Sequence, residues 1–275
     1  MTINCKGKLI DISTPKVMGI LNVTPDSFYD GGLYKDKSAI VKQIETMRNE
    51  GATFIDIGGY SSRPGADFVS EEEELNRVLP VIELVLDQFP DTLISIDTFR
   101  SCVAQKSIEA GAALINDISA GYLDENMIAV VAQLGVPYIM MHMKGTPKTM
   151  QQQTDYEDLV KDINLYFAER IAEAHAKNIN DIIIDPGFGF AKTLEQNYEL
   201  LNKLELLQFA NKPILAGVSR KSMIYKALDT SSDYALNGTT ALHMVALQKG
   251  AKILRVHDVK EAMECITLYN QLTTS

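Results

Sequence analysis

SEEEELNRVLPVIELVLDQFPDTLISID, residues 70–97, contains the unit from which the fold is built. Ser70 followed three residues later by Glu73 is a capping box, so a helix starts there. The apolar positions after it recur at helical spacing. The segment then passes into LISID (93–97), a short β-branched run that ends in a carboxylate. One helix feeding one strand buried on both faces is half of a parallel βαβ unit.

The same alternation runs along the chain. Strands are expected at 17–22, 53–58, 93–97, 113–117, 137–142, 181–185, 213–218 and 253–257. The segments between them carry helical periodicity. Ile40, Ile44 and Met47 share one face, with Gly51 placed to close that helix in the left-handed conformation. Leu159, Ile163, Phe167 and Ile171 recur every four residues between Asp155 and Lys177. Eight strands alternating with about eight helices predict an α/β fold, a (β/α)8 TIM barrel, over residues 1–275 as one domain. An open doubly wound sheet is disfavoured because no Gly-x-Gly-x-x-Gly turn follows the first strand.

Bulk properties narrow the class. The chain has 275 residues, 46% of them hydrophobic and 23% charged, with a formal net charge of −10. That balance suits a soluble globular protein and disfavours nucleic acid or an anionic membrane surface as partner. Three widely spaced cysteines (Cys5, Cys102, Cys265) predict neither a disulfide framework nor a cysteine metal site. No signal peptide or membrane span is read, so a cytoplasmic location is expected.

The strand ends concentrate polar residues that are expensive to bury: Asn22, Asp97, Asn116 with Asp117, His142, Asp185 and His257. In a barrel these ends meet at one mouth, where active sites of the fold lie. Asp97, Asn116 and Asp185 offer acceptors and an amide to a flat heterocycle bearing N–H donors. Arg63, Arg220, Lys221, Arg255 and His257 offer donors to phosphate, and four of those five fall near strands seven and eight. In ILRVHDV (253–259), Arg255 and His257 stand two apart and so face the same way. Barrel closure makes the eighth strand a neighbour of the first, bringing them towards Asn22. Two long glycine- and proline-rich connections, 24–37 and 58–71, are expected to be binding loops.

MGILNVTPDSFYDGG, GGYSSRPGA, SIDTF, NDISA, IIIDPGFGF, GVSRKSMI and RVHDV, in this order from about residue 17 to 259, closely resemble the dihydropteroate synthase family. That family condenses 6-hydroxymethyl-7,8-dihydropterin pyrophosphate with p-aminobenzoate and releases pyrophosphate. The resemblance implies a pterin site of Asp97, Asn116, Met140, Asp185, Phe190, Gly217 and Lys221. It implies pyrophosphate binding by Asn22, Arg255 and His257, with Mg²⁺ held at Asn22. Phe28, Ser62, Arg63, Pro64, Lys221 and Ser222 would surround p-aminobenzoate, and Asp30 would stabilise a cationic intermediate of an SN1-type reaction. Asp30, Lys221, Arg255 and His257 are thus the expected catalytic groups, in a homodimer that sulfonamides target. The chain departs from common members at Tyr60, where many have a short or acidic residue, and at Ser62, where threonine is frequent. A methyltetrahydrofolate–corrinoid methyltransferase shares the pterin-binding pattern but would lack TPDSF, SRPG, SRKS and RVHD, all present here.

Overall fold

The computed structural model describes residues 1–23, 33–60 and 68–274. The chain opens with an antiparallel hairpin, β1 (Thr2–Cys5) and β2 (Lys8–Asp11), which the sequence reading did not anticipate. Eight parallel strands follow: β3 (Lys16–Asn22), β4 (Phe54–Gly58), β5 (Leu93–Asp97), β6 (Leu114–Asp117), β7 (Tyr138–Met141), β8 (Ile182–Asp185), β9 (Ile214–Ala216) and β10 (Ala251–Val256). They pair in sequence order, and β10 closes on β3, giving the expected closed barrel. Observed strand bounds lie within one or two residues of those expected, because hydrophobic runs mark strand interiors better than their ends.

Helices cover the barrel: α1 (Leu33–Asn49), α2 (Glu71–Gln88), α3 (Ser101–Glu109), α4 (Met127–Leu134), α5 (Leu159–Ala176), α6 (Leu194–Asn202), α7 (Ser222–Ala227), α8 (Leu236–Gln248) and α9 (Val259–Thr274). Helix α1 begins at Leu33, inside the stretch 24–37 expected to be loop. Gly51 does adopt a left-handed backbone (φ +104°) after it. At α2, the Ser70 side chain accepts from the Glu73 N–H, but the Glu73 carboxylate accepts from Arg77 Nε at 2.9 Å. Half of the predicted capping box forms, and the salt bridge one turn on takes the other half. A reciprocal box does form at α6, between Thr193 and Gln196. The fifth helix starts at Leu159 with Asp158 as its cap, four residues after Asp155.

Alternation along the strands sorts the side chains into two sets. Val17, Leu21, Ile55, Ile57, Ile94, Ile96, Ile115 and Ile184 pack outwards against the helices. Met18, Phe54, Leu114, Ile139, Ile183, Leu215 and Ile253 fill the lower barrel interior together with Ile3, Cys5, Ile10 and Ile12. The hairpin is therefore a plug for the N-terminal end of the barrel. Above this apolar layer the interior becomes polar, which sets the site at the opposite, C-terminal mouth.

Phe54 is fully buried at the centre of the plug layer. Phe54→Ala is expected to destabilise the fold by about 3–5 kcal/mol, read from the midpoint of urea unfolding, with the circular dichroism of the native state unchanged.

Candidate active site

The polar interior is organised around Arg255. Its Nε donates to Asp56 Oδ2 at 2.5 Å and its Nη2 to Asp97 Oδ2 at 2.7 Å. Asn116 Nδ2 also donates to Asp56 Oδ2, at 3.1 Å. The four residues come from β10, β4, β5 and β6, and each points inwards because its strand neighbours at i±1 pack outwards. Burial pulls the Arg255 pKa down, but the carboxylates of Asp56 and Asp97 outweigh it and push the pKa up, so the guanidinium stays charged. Burial raises Asp97 to about 7; Arg255 opposes this, while the nearby Asp56 charge adds to it. Asp56 Oδ1 is buried with no hydrogen-bond partner among the described residues. That carboxylate keeps an open acceptor.

Beside this cluster lies a slot floored by Gly217. A Cβ placed there would come within 3.8 Å of Lys221 Nζ, 4.0 Å of Arg255 Cβ and 4.0 Å of Asp185 Oδ2. A side chain at Gly217 would occupy the space these groups surround. Asp185 ends β8; its Oδ1 accepts the Gly187 N–H at 2.8 Å, which leaves Oδ2 on the slot side. Lys221 precedes α7, donates to the Phe188 carbonyl at 2.5 Å and lies 4.9 Å from the centre of the Phe190 ring. Burial pushes Asp185 up, against Lys221, the Gly187 N–H, Arg255 and Lys192. Burial pushes Lys221 down to about 8, against Asp185. An acceptor pair, a cationic donor and an aromatic wall around a glycine floor can bind a flat ring with adjacent N–H groups on one edge and an acceptor on the other.

The upper rim holds the remaining expected groups. His257 lies just past β10, exposed; Ser219 Oγ is 3.0 Å from its Nδ1 and accepts its backbone N–H at 3.1 Å. Asn22 ends β3, and its Oδ1 faces the Gly58 position at 3.8 Å, with Asp97 Oδ2 close to the same point. Its carboxamide oxygen is therefore on the inner side of the mouth. Ser222 is the first residue of α7, next to Lys221. Phe28, Asp30, Ser62, Arg63 and Pro64 lie outside the described residues.

Some expected residues face elsewhere. Met140 registers with Asp117 and Ile184 and packs outwards with the helix-facing core, not on a bound ring. Met141 is the inward residue, clustered with Ile118, Met143, Met150 and Phe190. Asp117 also points outwards, accepting from Tyr138 Oη at 2.6 Å. His142 is buried against Tyr156, Tyr166 and Phe167. In each case a one-residue shift in strand parity changes the face. Arg220 is no phosphate ligand in this arrangement: its guanidinium is bidentate to Asp258 and donates to the carbonyls of Ser232 and Asp233. Asp56 is not among the strand-end groups expected from sequence, because it lies in the middle of β4. The signal was present, since Asp56 is two residues before Gly58 and shares the inward parity of Phe54.

Residues 18–257 match the family of pterin binding enzymes. The dihydropteroate synthase of Escherichia coli (strain K12) is 45% identical over 268 residues, which are 97% of this chain and 94% of that protein. The Yersinia pestis dihydropteroate synthase, solved in complex with a sulfonamide drug, is 43% identical and matches with a TM-score of 0.93 over all of both chains. The Xanthomonas albilineans enzyme solved with 4-aminobenzoic acid is 39% identical, with a TM-score of 0.92 over 100% of this chain and 98% of that one.

Removing Asp56 leaves the Asn116 amide and part of the Arg255 guanidinium without a partner inside the barrel. Asp56→Ala is expected to cost about 3–5 kcal/mol, measured as a lower urea midpoint.

Proposed function

This chain belongs to the pterin binding enzymes, within the dihydropteroate synthase family, and on that premise we propose that it joins 6-hydroxymethyl-7,8-dihydropterin pyrophosphate to p-aminobenzoate, giving 7,8-dihydropteroate and pyrophosphate. The observation that carries this reading is the Gly217-floored slot between Asp185, Lys221 and Arg255. The 2-amino group and N3–H of a pterin are a donor pair suited to the Asp185 carboxylate, and Lys221 is placed to donate to the ring carbonyl or N5. Asp97 and Asn116 close the inner end. Phe190 forms a wall, and Met141 stands in the place assigned by resemblance to Met140.

Above the slot, Arg255, His257 and Asn22 take the pyrophosphate. Arg255 is already paired with two carboxylates, so its contribution is a fixed positive charge rather than a swinging side chain. Among the described residues no three His, Cys, Asp or Glu side chains converge as a metal cage. The Asn22 carboxamide oxygen on the inner side of the mouth would nonetheless suit Mg²⁺, a hard cation that needs few protein ligands, and the ion would supply charge that neutralises the leaving group. The C–O bond to the pterin methylene breaks with its electron pair leaving on pyrophosphate, and the pterin ring delocalises the resulting cation. The p-aminobenzoate amine then attacks the methylene carbon, forming the C–N bond, and the resulting ammonium passes one proton to water. Lys221 and Ser222 border that second substrate; the resemblance also assigns Phe28, Ser62, Arg63 and Pro64 to it and Asp30 to the cation, all five outside the described residues. Competition by sulfonamides, a homodimer through the outer helices and a cytoplasmic location are proposed on the same family grounds.

The deciding experiment is p-aminobenzoate-dependent pyrophosphate release from the pterin pyrophosphate, with and without Mg²⁺. Release only with both substrates and metal is expected, and none under that condition would refute the reading. Asp185→Asn turns an acceptor pair into one acceptor and one donor, so pterin affinity should fall by roughly 2 kcal/mol or more, measured by calorimetry; near-normal binding would remove Asp185 from its role. The pH dependence follows from three shifted groups: Lys221, Asp185, and Asp97 at the inner end, which takes up a proton as pH falls through about 7. As pH rises through about 8, Lys221 loses its proton and its charge, so pterin binding should weaken. As pH falls through the raised Asp185 pKa, the acceptor becomes a donor, so the acid limb should lie above the ordinary carboxylate range.

A further inference from the structure

Behind the slot, the connection from β8 to α6 wraps around a second buried lysine. Lys192 is 4% exposed. Its Nζ donates to the carbonyls of Gly187 at 3.0 Å and Phe190 at 2.9 Å, and it lies 3.1 Å from His142 Nδ1. His142 is itself buried, and burial followed by the charges of Lys192 and Lys144 pushes its pKa well down. Burial pulls Lys192 itself down to about 7, against Asp185. In its ammonium form, on the acid side of that value, it donates to Nδ1 of the neutral imidazole. Three residues of this connection hold left-handed backbones: Gly187 (φ +71°), Gly189 (φ +82°) and Ala191 (φ +50°). These reversals turn successive carbonyls to different sides. Gly187 and Phe190 present theirs to Lys192, while Phe188 presents its own to Lys221. At Gly187 a Cβ would collide with the His142 carbonyl oxygen, so the loop is pressed against β7 at that point.

We infer that Lys192 is a positioning residue for the pterin slot, holding the 186–192 connection from behind so that the Phe188 carbonyl and the Phe190 ring stay fixed against Lys221, and adding positive charge behind Asp185. The inference rests on the pterin reading of that slot. Lys192 does not itself reach the slot; it bonds the backbone carbonyl of Phe190, whose ring lines the slot, and so acts through the loop and through charge. The charged and titratable groups around it are Asp185, Lys221, Lys144 and His142. Those around Asp185 are Lys221, Arg255 and Lys192. Loss of the ammonium removes one of the three cations that favour the ionised Asp185 and leaves two carbonyls in the loop without their donor.

The test compares Lys192→Met with Leu200→Ala, a fully buried core position on α6 that is outside the slot. For each full-length protein, the melting temperature, the KM for p-aminobenzoate and the calorimetric Kd for the pterin pyrophosphate would be measured across the acid limb. Lys192→Met should raise the pterin Kd about tenfold, the equivalent of one pKa unit, and move the acid limb to higher pH. Its KM for p-aminobenzoate should stay within about twofold, well below the tenfold change that one pKa unit represents. Leu200→Ala should lower the melting temperature and leave the pterin Kd and the acid limb where they are. If Lys192→Met only lowers the melting temperature, with Kd and limb unchanged, the positioning role is overturned. If Lys192→Met does not fold, Lys192→Gln, which keeps a donor without the charge, is judged by the same limb shift. A wild-type protein that binds no pterin would refute the slot reading itself, an outcome distinct from a variant that differs from a binding wild type.

Discussion

Arg255 spans Asp56 and Asp97 inside the barrel, and the rest of the mouth is arranged around that bridge. A guanidinium can be held away from bulk water only if its donors are matched, and two carboxylates on neighbouring strands match them. Closure of β10 onto β3 is what brings residue 255 within reach of residues 56 and 97. The bridge fixes a positive charge at the base of the upper cavity, and it also fixes two carboxylates against it. Across Gly217, Asp185 and Lys221 form a second opposed pair. Three carboxylates facing two cations favour a ligand that brings hydrogen-bond donors below and negative charge above.

Burial makes this arrangement chemically useful. Water around an ion pair would screen it, whereas inside the barrel each charge feels its neighbours strongly. The same burial displaces Asp97 and Lys221 towards neutrality from opposite directions, to about 7 and about 8. The slot therefore keeps its charge pattern only in a limited pH range. The connection after β8 adds a further layer. It reverses direction through left-handed residues and divides its carbonyls between Lys221 and Lys192, so one short segment is tied to two buried lysines.

Much of the fold was legible because burial on both faces leaves parallel strands with short, nearly continuous apolar runs. Phe54, Ile94, Ile115 and Ile183 mark their strands without ambiguity. The hairpin was not legible: TINC and KLID are too short and too polar to stand out, and their apolar residues matter only where the barrel end needs a plug. In the site, Asp97, Asn116 and Asp185 were legible as strand-end groups that are costly to bury, and Lys221 and Arg255 as cations near the seventh and eighth strands. Met140 and His142 fell on the wrong face because a strand changes face at every residue, and a run of four apolar residues gives no phase. Asp56 was overlooked as a mid-strand residue, although its parity with Phe54 carried the information.

The sequence by itself determined the eightfold alternation, the stock of buried polar residues and, through seven motifs in order, the family. These are local properties of spacing and side-chain type. The tertiary structure decided which of those residues meet. The pairing of Arg255 with Asp56, 199 positions apart, and the separation of Arg220 into a bridge with Asp258 both depend on barrel closure and strand phase. Neither is encoded in any short stretch, because a side chain's partner across a barrel is set by the register of every strand between them.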